Sequence, residues 1–140
     1  ISLSAPFTKI PIAALEFVAA LASILTFASV LPEPSHSTFM ILHVRVDALS
    51  TPFILTEDAA SSPMMIAIHS FILSHPLFMM WAPCLVVSHV PGVGNEFSDA
   101  ASRGQIDRLN LMAAHMRISP CQHPVHDDYH GLLAAAMMHV

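Results

Sequence analysis

The chain has 140 residues, 54% of them hydrophobic and only 11% charged, where a globular domain carries about a quarter charged. Ten acidic residues against five basic ones give a net charge of −5, which excludes a strongly basic nucleic-acid clamp. The mean hydropathy of +0.62 excludes a mainly disordered chain, and the length suits one domain. The two cysteines, Cys84 and Cys121, set no disulfide framework; they form one pair or serve as small buried hydrophobes. The chain opens on Ile1 with no basic stretch before its first apolar run. That predicts a fragment or processed product without an ordinary secretory signal.

The first apolar run is Ile10 to Leu31, with Pro11 suited to a first helical position and Pro32 and Pro34 as stops. Glu16 is its one charged residue. The run is long enough to cross a membrane, and equally fits the buried core helix of a soluble domain. A loop over 32–38 leads to residues 39–47, where Met40, Leu42, Val44 and Val46 alternate with His43, Arg45 and Asp47. Period two with β-branched residues predicts a strand ending at Asp47.

Thr51-Pro52 and Ser62-Pro63 each set a capping hydroxyl before a proline, predicting helices over about 52–60 and 63–75. Met64, Met65, Ile68, Phe71 and Ile72 give the second an apolar stripe, and Pro76 ends or kinks it. Pro83 opens a second strand over 84–90, and Pro91, Gly92 and Gly94 make a turn. Asn95 caps the next helix, with Glu96 in its first turn and Gly104 at its end. A further helix spans about 106–116, followed by a polar, histidine-rich stretch over 119–131 and a short apolar end. Helices separating two strands predict an α/β fold with the strands parallel.

Three carboxylates fall where an α/β sheet builds its site: Glu16 on the first helix, Asp47 at a strand end, and Asp99 one turn into a helix. Each alone also suits a structural role, as a paired helix carboxylate, a turn residue and a helix-dipole partner respectively. Clustered carboxylates favour hard divalent cations.

The stretch 87–104, VSHVPGVGNEFSDAASRG, resembles the C-terminal motif of the ribonuclease H domain in retroelement reverse transcriptases. The resemblance rests on His89-Val90-Pro91-Gly92 followed by Asn95, Asp99, Ala100, Ser102 and Arg103. Residues 10–21 resemble that family's glutamate-bearing helix, and 44–55 its aspartate-ending strand with the helix after it. The resemblance covers about residues 10–104. It implies a ribonuclease H-like α/β fold, N-terminally truncated, with parallel strands 39–47 and 84–90 against packing helices. It divides the chain into a partial domain over 1–104, lacking the family's first three strands, and a helical, histidine-rich extension over 105–140.

The implied activity is metal-dependent endonucleolytic cleavage of the RNA strand of RNA–DNA hybrids. Glu16, Asp47 and Asp99 are the implied ligands of two Mg2+ or Mn2+ ions, and Asn95 and Arg103 the implied substrate contacts. The implied partners are the hybrid and an upstream reverse transcriptase segment, in an intracellular setting with no membrane. The family's first aspartate has no counterpart, since no acidic residue precedes Ile10. Ala48 stands where the family carries Asn or Ser. An impaired or inactive fragment is therefore expected.

Cys121, His123, His126 and His130 are residue types that suit Zn2+, but their spacing matches no standard structural zinc site. The rival reading is a small integral membrane protein with helices near 10–31 and 64–90. Against it, the second segment holds His69, His75, Pro76, Pro83 and His89, and no Lys/Arg cluster flanks either segment to set an orientation.

Overall fold

A computed structural model describes residues 9–34, 40–46, 51, 62–91 and 95–140. The elements are α1 (Ile12–Val30), β1 (Leu42–Val46), α2 (Pro63–Leu73), α3 (Pro76–Trp81), β2 (Leu85–His89), α4 (Glu96–Ser102), α5 (Ile106–His115) and α6 (Tyr129–Met137). A 3-10 turn, Ala82–Cys84, joins α3 to β2. The chain forms two compact units. One is Ile1–His89 with Val125–Val140, and the other is Val90–Pro124. The position 104 at which the resemblance ends lies inside the second unit.

In the larger unit, α1 is apolar nearly all round, yet one side stays exposed along Ile12, Glu16, Ala19, Ser23, Phe27 and Val30. Ala14, Phe17, Val18, Leu21, Ile24, Leu25 and Ala28 recur at helical spacing toward the core. The hydroxyls on this helix bond back to its own carbonyls, Ser23 to Ala19 at 2.9 Å and Thr26 to Ala22 at 2.7 Å, so Thr26 is buried without an unmet donor. α1 packs against α2, α3 and α6, and α6 packs along α2. Phe17, Leu21, Ile24, Leu25, Ile68, Ile72 and Leu132 are fully buried in this cluster, each contributing roughly 1.5–3 kcal/mol.

β1 and β2 pair in parallel, with Leu42 opposite Leu85, Val44 opposite Val87 and Val46 opposite His89. The expected α/β class with parallel strands is therefore present, with strand ends one to three residues inside the predicted ones. One face of the pair, Val44, Val46, Leu85 and Val87, packs on the helical core. The other carries His43, Arg45, Val86 and Ser88, with His43 Nε2 and Ser88 Oγ 2.7 Å apart. Alternation of apolar and polar residues thus decides which side of the sheet meets the helices.

α2 begins as predicted, with Ser62 Oγ accepting the Met65 N–H and Pro63 in the first turn. Pro76 does more than end it. It opens α3, which together with the 3-10 turn to Cys84 lies at 73° to α2, and His75 Nδ1 accepts the Leu77 N–H in the capping position. The helix expected over 52–60 and the glycines of the 92–94 turn lie outside the described residues. Thr51 is described. It is helical and fully buried, and its Oγ1 has no hydrogen-bond partner. The expected capping hydroxyl is therefore unused.

The smaller unit holds α4 and α5, joined by a tight corner. Gly104 takes the left-handed conformation at φ 67°. The Gln105 N–H donates to Ala100 O at 2.9 Å and the Gly104 N–H to Ala101 O at 3.1 Å. This is the Schellman arrangement that ends a helix. α5 ends the same way: the Ile118 N–H reaches Ala113 O at 3.0 Å and the Arg117 N–H reaches Ala114 O at 3.1 Å. There the left-handed residue is Arg117, at φ 57°.

Candidate functional site

α4 brings three of the sequence-derived candidates together. Asn95 occupies its N-cap position, although its side chain makes no capping hydrogen bond. The expectation of a side-chain cap is corrected to that extent. Its backbone carbonyl instead accepts the Asp99 N–H at 3.0 Å. One turn on, Asp99 Oδ1 accepts from Arg103 Nε at 3.0 Å, an i,i+4 pair across the end of the helix. Asp99 Oδ2 faces Arg108 Nη1 at 3.7 Å, and the same guanidinium nitrogen donates to Gln105 Oε1 at 3.0 Å. Each carboxylate oxygen therefore has a cationic partner. Arg108 was not among the sequence candidates. It reaches Asp99 only because the Gly104 corner folds α5 back toward α4.

Glu16 stands exposed on α1, on the side away from the stripe that faces the core. It belongs to the larger unit and Asp99 to the smaller. Asp47 lies outside the described residues. The donor set expected for a pair of divalent cations is thus not assembled by the described residues alone. Among them, no group of three or more His, Cys, Asp or Glu side chains is placed to hold a metal ion. The chemistry of Asp99 suits a hard cation, but its carboxylate is met by guanidinium groups.

The histidine-rich stretch divides likewise. In the smaller unit, Cys121 Sγ and His123 Nε2 are 3.6 Å apart. In the larger unit, the His126 ring turns toward His75, and His130 stacks at 4.0 Å on Tyr129. Both cysteines are free, and Cys121 is exposed rather than a buried hydrophobe. The unpredicted contact in this region is between His75 Nε2 and Asp128 Oδ2, at 2.5 Å. The His75 hydrogen bond, opposed by some desolvation and aided by the charge of His126, holds the Asp128 carboxyl below the usual carboxylate range.

In comparisons with known proteins, the chain matches no family model, no curated protein and no solved structure.

Proposed function

We propose that this chain is a ribonuclease H-like domain of retroelement descent, whose inherited activity is cleavage of the RNA strand in RNA–DNA hybrids. The observation that supports the reading is the order of elements around the parallel β1–β2 pair. A helix bearing Glu16 precedes β1, and a helix bearing Asn95, Asp99 and Arg103 follows β2. Asp47 immediately follows β1 in sequence, at the strand end where open α/β sheets build sites.

In this reading Glu16, Asp47 and Asp99 would hold Mg2+ or Mn2+. When bound, such ions activate a water and neutralise charge on the scissile phosphodiester. The chain's own residues supply the rest. Arg103 and Arg108, paired with Asp99, are the basic groups beside the proposed ligand and would contact hybrid phosphates. Hybrid shape and 2′-hydroxyls would provide recognition. With five basic residues in all, binding is expected to be weak without an upstream reverse transcriptase segment.

The test is cleavage of a labelled RNA–DNA hybrid in Mg2+ or Mn2+ by the purified chain and by Asp47→Asn and Asp99→Asn variants. Cleavage lost in both variants supports the assignment of ligands. Equal cleavage by all three proteins refutes it. No cleavage by the folded wild-type chain leaves a non-catalytic remnant as the form of the proposal.

A second reading, a small membrane protein, draws on one observation. α1, with 19 residues and Glu16 as its one charge, is long and apolar enough to cross a membrane, and the bent α2–α3 pair is so as one broken span. Against this, more than half of α1 is buried within the protein. Detergent-dependent solubility of the intact chain is the outcome that would favour the membrane reading.

A further inference from the structure

Cys121 and His123 are the part of the histidine-rich stretch that the packing does not use. Both are exposed, and both lie outside any helix or strand, shortly after α5. Cys121 is a free thiol, and its Sγ stands 3.6 Å from His123 Nε2. The other two candidates of the stretch are engaged elsewhere. His126 Nδ1 accepts the Asp128 N–H at 3.1 Å, and its ring meets His75 edge-on. The His130 ring lies on Tyr129.

The separation of sulfur and nitrogen matches the bite of a tetrahedral metal ion. With Zn–S about 2.3 Å and Zn–N about 2.0–2.1 Å, a tetrahedral angle sets the two donors about 3.5 Å apart. A thiolate and an imidazole also suit Zn2+, whereas Mg2+ takes oxygen ligands. The local chain favours the pairing. Two residues apart, Cys121 and His123 share one side of an extended backbone. Pro120 and Pro124 bracket them. Pro120 has a fixed φ, and Pro124 biases His123 toward extended backbone. Less conformational freedom is therefore lost when both donors close on one ion. The thiolate is the ligand, so binding releases the thiol proton to water: Cys–SH and M2+ give Cys–S–M+ and H+.

Two donors leave a tetrahedral site half filled. Among the described residues, no third His, Cys, Asp or Glu joins them, and a structural zinc site takes four protein ligands. A second copy of the chain brings the same two again. The unit Val90–Pro124, which carries the pair, suits such a meeting by its charge. Arg103, Arg108 and Arg117 balance Glu96, Asp99 and Asp107 there, so the net charge of −5 falls on the rest of the chain. Met116 and Ile118, shortly before the pair, are exposed and give two copies apolar surface to cover.

We propose that Cys121 and His123 form half of a tetrahedral site for zinc-type cations, which a second copy of the chain completes as a centre of two thiolates and two imidazoles. One ion then links two chains. The site is independent of the nuclease reading, because both residues lie outside the stretch that carries the resemblance.

The experiment titrates Zn2+, and Co2+ as its coloured substitute, into the whole chain in a phosphine reductant that keeps the thiols reduced. Sedimentation velocity reads the mass, and absorption reads the ligands. One ion per two chains is expected, with a dimer that a chelator returns to monomer. Co2+ should give the intense visible bands of a tetrahedral site and a thiolate charge-transfer band in the near ultraviolet. Cys121→Ser and His123→Ala should each abolish the dimer and these bands. Both side chains are exposed, so both variants should fold. Cys84→Ser and His130→Ala should still form the metal-linked dimer.

One ion bound per chain with the mass of a monomer overturns the shared site. So does the absence of binding, the weak spectrum of an octahedral, oxygen-bound Co2+, or a dimer that persists in chelator or in Cys121→Ser. A dimer seen only without reductant is a disulfide and likewise refutes the metal link.

Discussion

The Phe71 ring of α2 fills the space over Gly131 of α6, so that a Cβ added to Gly131 would meet ring carbon Cε2 at 2.6 Å. Gly131 therefore sits in the first turn of α6 for closeness, not for backbone freedom. Its cost in helix propensity, about 1 kcal/mol relative to Ala, is offset by the contact it permits between two helices. Gly131→Ala is expected to destabilise the chain by about 1 kcal/mol, since overpacking costs roughly 1–3 kcal/mol and the propensity gain returns part of it. In a Phe71→Leu background the same change should become stabilising. Denaturant midpoints for the four proteins of this cycle give the answer, and an unchanged sign in the Leu background refutes the close-packing account.

Arg117 ends α5 in a conformation that L-residues other than glycine adopt at a cost of roughly 1–2 kcal/mol. Its side chain is exposed. Arg117→Gly is expected to stabilise the α5 end by about 1 kcal/mol, seen as slower amide exchange at Arg117 and Ile118. A loss of protection there would show that the side chain contributes more than the strain costs.

The Ser62 cap of α2 has one acceptor and one donor, 3.2 Å apart. Ser62→Ala should lower stability by about 1 kcal/mol, while Ser62→Asp should retain it or improve on it by the helix dipole. Thermal midpoints of the two variants test this. Equal loss in both would show that the hydroxyl at this position is not acting as a cap.

Asp128 contributes to the acid limb of the stability profile. Its pKa is depressed in the folded chain, first by the His75 hydrogen bond. A carboxyl depressed on folding contributes stability that is fully present above its unfolded value, near ~3.9. That contribution is lost as pH falls through the lower folded value. Asp128→Asn should therefore flatten the decline in stability below about pH 4, and leave the profile above it less changed. A wild-type slope that persists in the variant points to other carboxylates as its source. With Asp128 half exposed, the effect is expected to be small and to shrink in salt.

The Asp99 pairs are surface pairs, and each is expected to contribute less than about 1 kcal/mol. Arg103→Ala and Arg108→Ala should each cost a few tenths of a kcal/mol at low ionic strength and nearly nothing in high salt. Urea midpoints at two salt concentrations separate this from a packing role, which salt would not erase.

The elements visible in the sequence are those whose signals are local. Alternation at 42–46 marks a strand with one face on the core, and Pro83 marks the opening of the second strand. The Ser62-Pro63 pair marks the start of α2, and Gly104 the corner after α4. α3 is hidden because its cap is an imidazole, outside the Ser, Thr, Asp and Asn set that marks helix starts. α6 is hidden because HDDYHG reads as a polar loop, and Gly131 inside it as a break. What fixes α6 is non-local, namely the Phe71 ring, the His75 imidazole and the α1 stripe. At the candidate site the Asp99–Arg103 pair follows from i,i+4 spacing. Arg108 does not, because it depends on the angle of a turn.

α6 follows the whole Val90–Pro124 unit in sequence, yet Leu132 and Ala136 belong to the same buried cluster as Phe17 and Leu21. The apolar stripe on α1 is therefore made well before the helix that completes its cover. During that interval the nascent chain presents unpaired hydrophobic surface to anything nearby, the circumstance in which chaperones bind and misassembly begins. Contacts between helices so distant in sequence also slow folding. A ribosome stalled before residue 125 holds a polypeptide whose core still lacks the helix that closes it.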